Sequence, residues 1–322
     1  MNGIKILSIG SFLPKTKVTN EMFAEIMDTT DEWITTRTGI KTRNYADEES
    51  THSMAVEAAK IAIDRAGISK QDISVVIVAT CTPDYICPNV AGIVCSELNL
   101  AEEVIAFDLN AACSGFIYAI NAAKNLLEAC EGYALVVGSD TVTKMVDFSD
   151  RASCILFADG AGAAVLELAK DAPYQHVAGR VDNNGAILWK GMPNPSNPFV
   201  KRKDEERPNL FMDGKEVFRF AVDKVAYSIG KVLERAKITA SDIDYYVCHQ
   251  ANLRILSSAA KNLGANEEKF FTNIEHNGNT SAASIPLALD DMLKQGLLKR
   301  GMKLILAGFG GGLTYGATYL EY

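Results

Sequence analysis

The sequence predicts a layered α/β protein assembled from two similar halves related by a pseudo-twofold axis, and three observations predict it. The chain has 322 residues, 48% of them apolar and 22% charged, which exceeds one ordinary domain and can fill a large core. Short β-branched runs alternate with helical patterns, as βαβ units require. The chain also repeats itself: "IDRAGISKQDISVVIV" (63–78) lies over "LERAKITASDIDYYVC" (233–248), pairing Arg65 with Arg235, Ile68 with Ile238 and Asp72 with Asp242 at an offset of 170.

In chain order, "SMAVEAAKIAIDRAG" has apolar residues at helical spacing and a glycine stop. "ISVVIVAT" and "YALVVGS" are short apolar runs suited to strands buried on both faces. Between them, "VIAFDLN" predicts a strand and "AACSGF" opens the helix "FIYAINAAKNLLEA". The offset of 170 sets Gly138 of "ALVVGSD" on Gly308 of "LILAGFG", and "AACSGFIYAI" (111–120) on "SAASIPLALD" (281–290). The closing pair, "AGAAVLEL" (161–168) and "YGATYLEY" (315–322), needs an offset of 154, so the first half carries about 16 extra residues after Gly138. The expected division is 1–172 and 173–322, with the active site where the carboxyl ends of the strands meet.

Composition excludes several classes of function. A formal charge of −8 argues against a general nucleic-acid binder. No apolar run approaches the roughly 18 residues of a membrane span, and "MNGIKILSIGSFLP" is too short and glycine-broken for a secretion signal, so a cytoplasmic protein is expected. The seven cysteines (81, 87, 95, 113, 130, 154 and 248) form no CxxC pair, which fits reduced thiols rather than disulfides or a zinc site.

Three loops carry the candidate chemistry. Cys113 in "DLNAACSGF" stands at a helix start, where free N–H groups and the dipole favour a thiolate, and its own N–H can face an oxyanion. Its six fellow cysteines lack that setting and read as small core residues. His249 in "CHQAN" directly follows a strand, with His276 in "EHNGN" as a rival. Asn279 in "NGNTSAAS" follows an Asn-Gly turn that explains Asn277 and Gly278, and helix capping is its ordinary explanation. The glycine-rich "GFGGGLTYGA" lacks the lysine of a phosphate loop and reads as a tight turn.

Together, "DLNAACSGF", "HQANLRI", "NGNTSAASIPLAL", "GFGGGLTYG" and "DEWITTRTGI" resemble the β-ketoacyl-acyl-carrier-protein synthase III family over the whole chain. The resemblance implies a thiolase-like fold of five α-β-α-β-α layers and a homodimer. It implies an initiating condensation: Cys113 takes an acyl group from acyl-CoA, and malonyl-acyl-carrier-protein then decarboxylates and attacks that thioester. His249 and Asn279 would donate to the enolate oxygen, and the backbone of Cys113 and Gly312 would hold the tetrahedral oxyanion. CoA would meet Trp33 and Arg151 on its adenine, Arg37 on phosphate, and Thr29, Gly214 and Asn252 along its length. Arg219, Arg254 and Lys261 would receive the acidic carrier protein. No cofactor beyond the thioester substrates is implied. Taken without the resemblance, Trp33 reads as core, Arg151 as a surface charge and the other basic residues as solvated helix positions.

The segment "TPDYICPNVAG" (82–92) would cross the dimer interface to close the partner's acyl pocket, where the family often has a bulky aromatic; Ile86 and Cys87 stand here instead, implying room for branched or longer primers. The 194–211 segment reads as an exposed, mobile loop. Rival readings are a starter-forming condensing enzyme of a polyketide or quinolone pathway, a cysteine hydrolase acting on acyl-CoA, and a non-catalytic scaffold.

Overall fold

A computed structural model describes residues 2–182, 185–189 and 210–322; the 194–211 segment lies outside the described residues except for Leu210 and Phe211. The first half forms a five-stranded sheet from β1 (Asn2–Phe12), β2 (Ile73–Ala79), β3 (Ile105–Leu109), β4 (Tyr133–Thr141) and β5 (Asp159–Lys170), in the order β1-β5-β4-β2-β3. The second half forms a four-stranded sheet from β6 (Tyr174–Arg180), β7 (Tyr245–Cys248), β8 (Lys303–Gly310) and β9 (Thr314–Glu321), in the order β6-β9-β8-β7. The two orders are equivalent, and the missing fifth strand survives as a parallel bridge between Tyr246 and Phe270.

The sheet register confirms both sequence offsets. Gly138 pairs with Gly162 across β4 and β5, and Gly308 pairs with Gly316 across β8 and β9. One position departs from the expected alignment. Ala112 and Ser281 adopt left-handed φ of 47° and 53°, and each opens a short 3₁₀ turn before a helix, so the nucleophile turn matches its twin at an offset of 169. Cys113 therefore corresponds to Ala282, and only one half carries a thiol at the turn.

Seven helices matter for the site: α1 (Asp31–Thr38), α2 (Thr51–Ala66), α3 (Val90–Leu98), α4 (Gly115–Leu127), α5 (Gly214–Ala236), α6 (Leu253–Leu263) and α7 (Ser284–Lys294). α4 and α7 fill the layer between the sheets, where Phe116, Ile120, Ile285 and Leu289 meet Val75, Ile77 and Val136 from one sheet and Leu304 and Leu306 from the other. α2 and α3 cover the outer face of the first sheet, packing Met54, Ala58 and Val94 on Val76 and Val78. α5 and α6 cover the second, packing Val225, Ile229 and Leu256 on Ile305 and Phe309. Successive strand residues thus feed different cores, which is why the strand runs are continuously apolar. The result is the expected five layers.

The central layer is close enough to require glycine. A Cβ on Gly138 would stand 2.2 Å from Ala282 O, and one on Gly308 would stand 3.1 Å from Ser114 Cα, so each half's glycine admits the other half's turn. Gly138→Ala is expected to destabilise the fold by about 3 kcal/mol, since the obstacle is backbone. Denaturant unfolding checks this, and an unchanged midpoint would contradict it.

Candidate active site

The sequence places Cys113 at the amino end of a helix, and it is there: the turn Ala112–Ser114 runs directly into α4. Asn110 Oδ1 accepts from Ala112 N at 3.1 Å, and Ser114 Oγ bonds Ala111 O and Thr314 Oγ1, each at 2.8 Å, so the strained turn is pinned on both sides. Gly310 at the end of β8 lies so close that a Cβ would stand 2.6 Å from Cys113 N. The expected lowering of the thiol pKa is not found. Burial pushes Cys113 up to about 12, the Ser281 hydroxyl opposing and Asp140 reinforcing the rise. At neutral pH Cys113 is therefore held as a thiol, because one helix end does not offset removal of the sulfur from water.

His249 continues the β7 ladder, its N–H donating to Ala307 O at 2.8 Å. The ring is 1% exposed and meets Phe309 edge-on at 5.0 Å. Burial pushes the imidazole down to about 3, so it is neutral, and Nδ1 is buried without a partner among the described residues, which leaves Nε2 as the nitrogen a ligand can reach. Gln250 locks this loop: its Nε2 donates to Cys248 O and Phe271 O, and its Oε1 accepts from Asn273 N. That buried glutamine was visible in "CHQAN", but nothing in sequence distinguishes it from a solvated one.

Asn279 is clamped by backbone, with Asn279 N donating to Leu156 O at 2.9 Å and Ala158 N to Asn279 O at 2.8 Å. Its Oδ1 accepts from Ser281 N at 3.0 Å. That contact settles the amide orientation, because a flipped side chain would set N–H against N–H. Nδ2 is left as a donor. His276, the rival histidine, sits in the helical turn Ile274–Asn277 and does not line the cavity.

Cys113, His249 and Asn279 line one cavity of about 630 Å³. Trp33, Arg37, Arg151, Gly214, Asn252 and Arg254 line it as well. The guanidinium carbons of Arg37 and Arg151 each lie 4.6 Å from the Trp33 ring centroid, and Arg151 also pairs with Asp28 at 3.7 Å. A purine between Trp33 and Arg151 thus requires Arg151 to leave the indole. Asn252 caps α6 through Arg254 N and donates to Arg37 O at 3.0 Å, tying α6 to α1. A Cβ on Gly214 would meet nothing within 4 Å, so the space beside it is open to a ligand.

Several of the expected residues do not line this cavity. Gly312 does not line the cavity; of the glycine-rich segment 308–312 it is Gly310 that does. Thr29 does not line it either, although its Oγ1 is buried without a partner among the described residues; the neighbouring Thr30 caps α1. Arg219 lies outside, paired with Glu216 at 2.5 Å, and Lys261 lies over a separate surface depression. Ile86 is 77% exposed and Cys87 exposed, away from this chain's own cavity. Cys81 comes close unannounced: its Sγ lies 3.9 Å from Ser281 Oγ, the hydroxyl that also opposes the rise of the Cys113 thiol pKa.

Among the described residues no helix is long and apolar enough to cross a membrane, and no cluster of three or more His, Cys, Asp or Glu is placed to hold a metal ion.

Residues 107–185 match the profile of 3-oxoacyl-(acyl-carrier-protein) synthase III, and residues 233–322 that of its C-terminal part. The chain is 44% identical to the β-ketoacyl-(acyl-carrier-protein) synthase III of Clostridium acetobutylicum, covering 100% of this chain and 99% of that one. Its fold is similar to the crystal structure of 3-oxoacyl-(acyl-carrier-protein) synthase III from Aquifex aeolicus, with a TM-score of 0.89, 38% identity and coverage of 99% and 100%. It is also similar to the priming β-ketosynthase of the R1128 polyketide pathway, with a TM-score of 0.89, 36% identity and coverage of 99% and 96%. With these likenesses spanning both halves and all three loops, the chain belongs to the β-ketoacyl-acyl-carrier-protein synthase III family.

Proposed function

We propose that the protein condenses an acyl-CoA primer with malonyl-acyl-carrier-protein, giving 3-oxoacyl-acyl-carrier-protein, CoA and CO2 and so initiating fatty acid synthesis. The observation that carries this reading is one cavity lined by a thiol, a neutral imidazole and an oriented carboxamide, with an indole and two guanidiniums also in its wall.

In the first step Cys113 Sγ attacks the acyl carbon. The C–S bond to CoA breaks, and the thiol proton leaves with CoA as its free thiol. The Cys113 N–H is one donor for the oxyanion, and the glycine turn after β8 supplies the other, from Gly310 or Gly312. In the second step the malonyl carboxylate leaves as CO2 and its bonding electrons move to the thioester oxygen. That enolate takes hydrogen bonds from His249 Nε2 and Asn279 Nδ2. Its carbon then attacks the acyl thioester, and the displaced Cys113 sulfur regains a proton from solvent. The reaction moves no electrons to an acceptor; the CoA thioester is a substrate, and no separate cofactor is called for.

Trp33 and Arg151 are assigned to adenine, Arg37 to phosphate, and Thr29, Gly214 and Asn252 to the rest of CoA, since an aromatic face and guanidiniums suit a purine and a phosphate. Arg219, Arg254 and Lys261 are assigned to docking an acidic carrier protein. A second copy of the chain is assigned to the exposed Tyr85 and Ile86, completing the acyl pocket with Ile86 and Cys87.

The test is formation of 3-oxoacyl-acyl-carrier-protein, with CO2 released from malonyl-acyl-carrier-protein, in a reaction whose condensed product requires both substrates. Free acid from acyl-CoA alone would support a hydrolase instead. Turnover of isobutyryl-CoA and hexanoyl-CoA comparable to acetyl-CoA is expected from the small residue at position 87; strict acetyl preference would refute the wider pocket. The similarity to a polyketide priming enzyme keeps that alternative specific, and preference for a polyketide-type carrier protein would favour it.

A further inference from the structure

Arg43 is fully buried in the short strand Thr42–Tyr45, with its guanidinium over the Phe23 ring at 4.8 Å. Its nitrogens end on neutral acceptors: one terminal nitrogen donates to Asn20 Oδ1 and the other to Ile155 O, each at 2.7 Å, while Nε has no partner among the described residues. Asn20 passes the contact on, donating from Nδ2 to Asp31 Oδ1 at 2.7 Å. A buried cation gripping neutral groups is costly, and an apolar side chain of similar volume would fill the space with less penalty. The position of what it grips gives a reason for that cost.

Ile155 begins the strip 155–158, and the next residue's carbonyl accepts from Asn279 N, while Ala158 N donates to Asn279 O. The Arg43 stem also packs on the residue preceding Asn279. Gly278 has φ of 61°, and a Cβ there would stand 3.1 Å from Arg43 Cβ and 3.2 Å from both Ala158 Cβ and Leu156 O. One buried side chain therefore touches both segments that aim the Asn279 carboxamide, without itself lining the cavity.

We propose that Arg43 is a positioning residue for Asn279, holding the 155–158 strip so that the carboxamide donor meets the enolate oxygen. This rests on the decarboxylative reading given above. It separates the two half-reactions, because Cys113 and its turn lie on other elements.

The experiment compares wild type, Arg43→Met and Arg43→Lys in two assays: acylation of Cys113 by acyl-CoA, read by intact mass, and CO2 release from malonyl-acyl-carrier-protein on the acylated enzyme. Arg43→Met is expected to slow CO2 release at least about 30-fold while acylation stays within about threefold, since a small misplacement of a donor costs that order in rate. Arg43→Lys keeps the charge but reaches one acceptor at a time, so it restores part of the loss. If Arg43→Met does not fold, Arg43→Lys carries the test, with CO2 release expected about tenfold down and acylation unchanged. Losses in both assays that track the folded fraction, or no loss in either, would overturn the proposal. If wild type releases no CO2 from malonyl-acyl-carrier-protein, the decarboxylative reading itself fails.

Discussion

Replacing Cys113 with alanine is expected to abolish the acyl adduct and reduce condensation by at least about 10⁴-fold, the order seen when a covalent nucleophile is removed. Release of CO2 from malonyl-acyl-carrier-protein should nevertheless continue. The groups assigned to the enolate stand on other loops: His249 is held by Ala307 O in a loop that Gln250 pins to Cys248 O and Phe271 O, and Asn279 by the 156–158 backbone and Ser281 N. None of these contacts uses the thiol, so the variant should decarboxylate without forming the carbon–carbon bond. The thiol's raised pKa adds a second readout. With Cys113 at about 12, against an ordinary thiol near 9, only a small fraction is thiolate at pH 7, and alkylation by iodoacetamide should accelerate as pH rises through the alkaline range. Retained condensation in Cys113→Ala, or an acyl adduct on Cys81, would overturn the assignment of the nucleophile.

The fold was legible because the chain encodes it twice. Gly138 and Gly308 align at 170 in sequence and perform the same job in space, each admitting the opposite turn. Local pattern could not show that the turn itself is aligned one residue differently, since Ala112 and Ser281 are alanine and serine held at positive φ by surrounding contacts. It also could not show that the strand after the Glu267–Lys269 turn shrinks to one bridge at Phe270. The three polar residues of the candidate site were legible as residue types in three loops. Their electrostatics were not. The helix start at Cys113 pointed to a lowered pKa, and burial, which depends on the other half of the molecule, reversed the sign. Arg43, Gln250 and Cys81 went unread because each acts through partners distant in sequence: Arg43 through Ile155, 112 positions on, and Cys81 through Ser281, 200 positions on.

Asn279→Asp is the sharper test of the enolate site. The substitution preserves shape and the acceptor for Ser281 N, so the clamp on residues 279–281 survives, but it replaces the Nδ2 donor with an anionic oxygen facing developing negative charge. Decarboxylation is expected to fall by about 10²- to 10³-fold or more, and His249→Ala by a similar factor, while Cys113 acylation remains near wild type. The pH dependence follows from the sign of the His249 shift. Its folded value is lowered, to about 3 from 6.5, so the imidazole is neutral above that value and gains a proton only below it. A neutral ring donating through Nε2 predicts that decarboxylation shows no titration between about pH 5 and 8, in contrast to a solvent-exposed histidine, which would give a limb near 6.5. Measuring CO2 release on pre-acylated enzyme across that range isolates this step from the Cys113 thiol. A limb near 6.5 that disappears in His249→Ala would mean that the ring changes charge during turnover, and the paired-donor mechanism would have to give way to one in which His249 carries a proton.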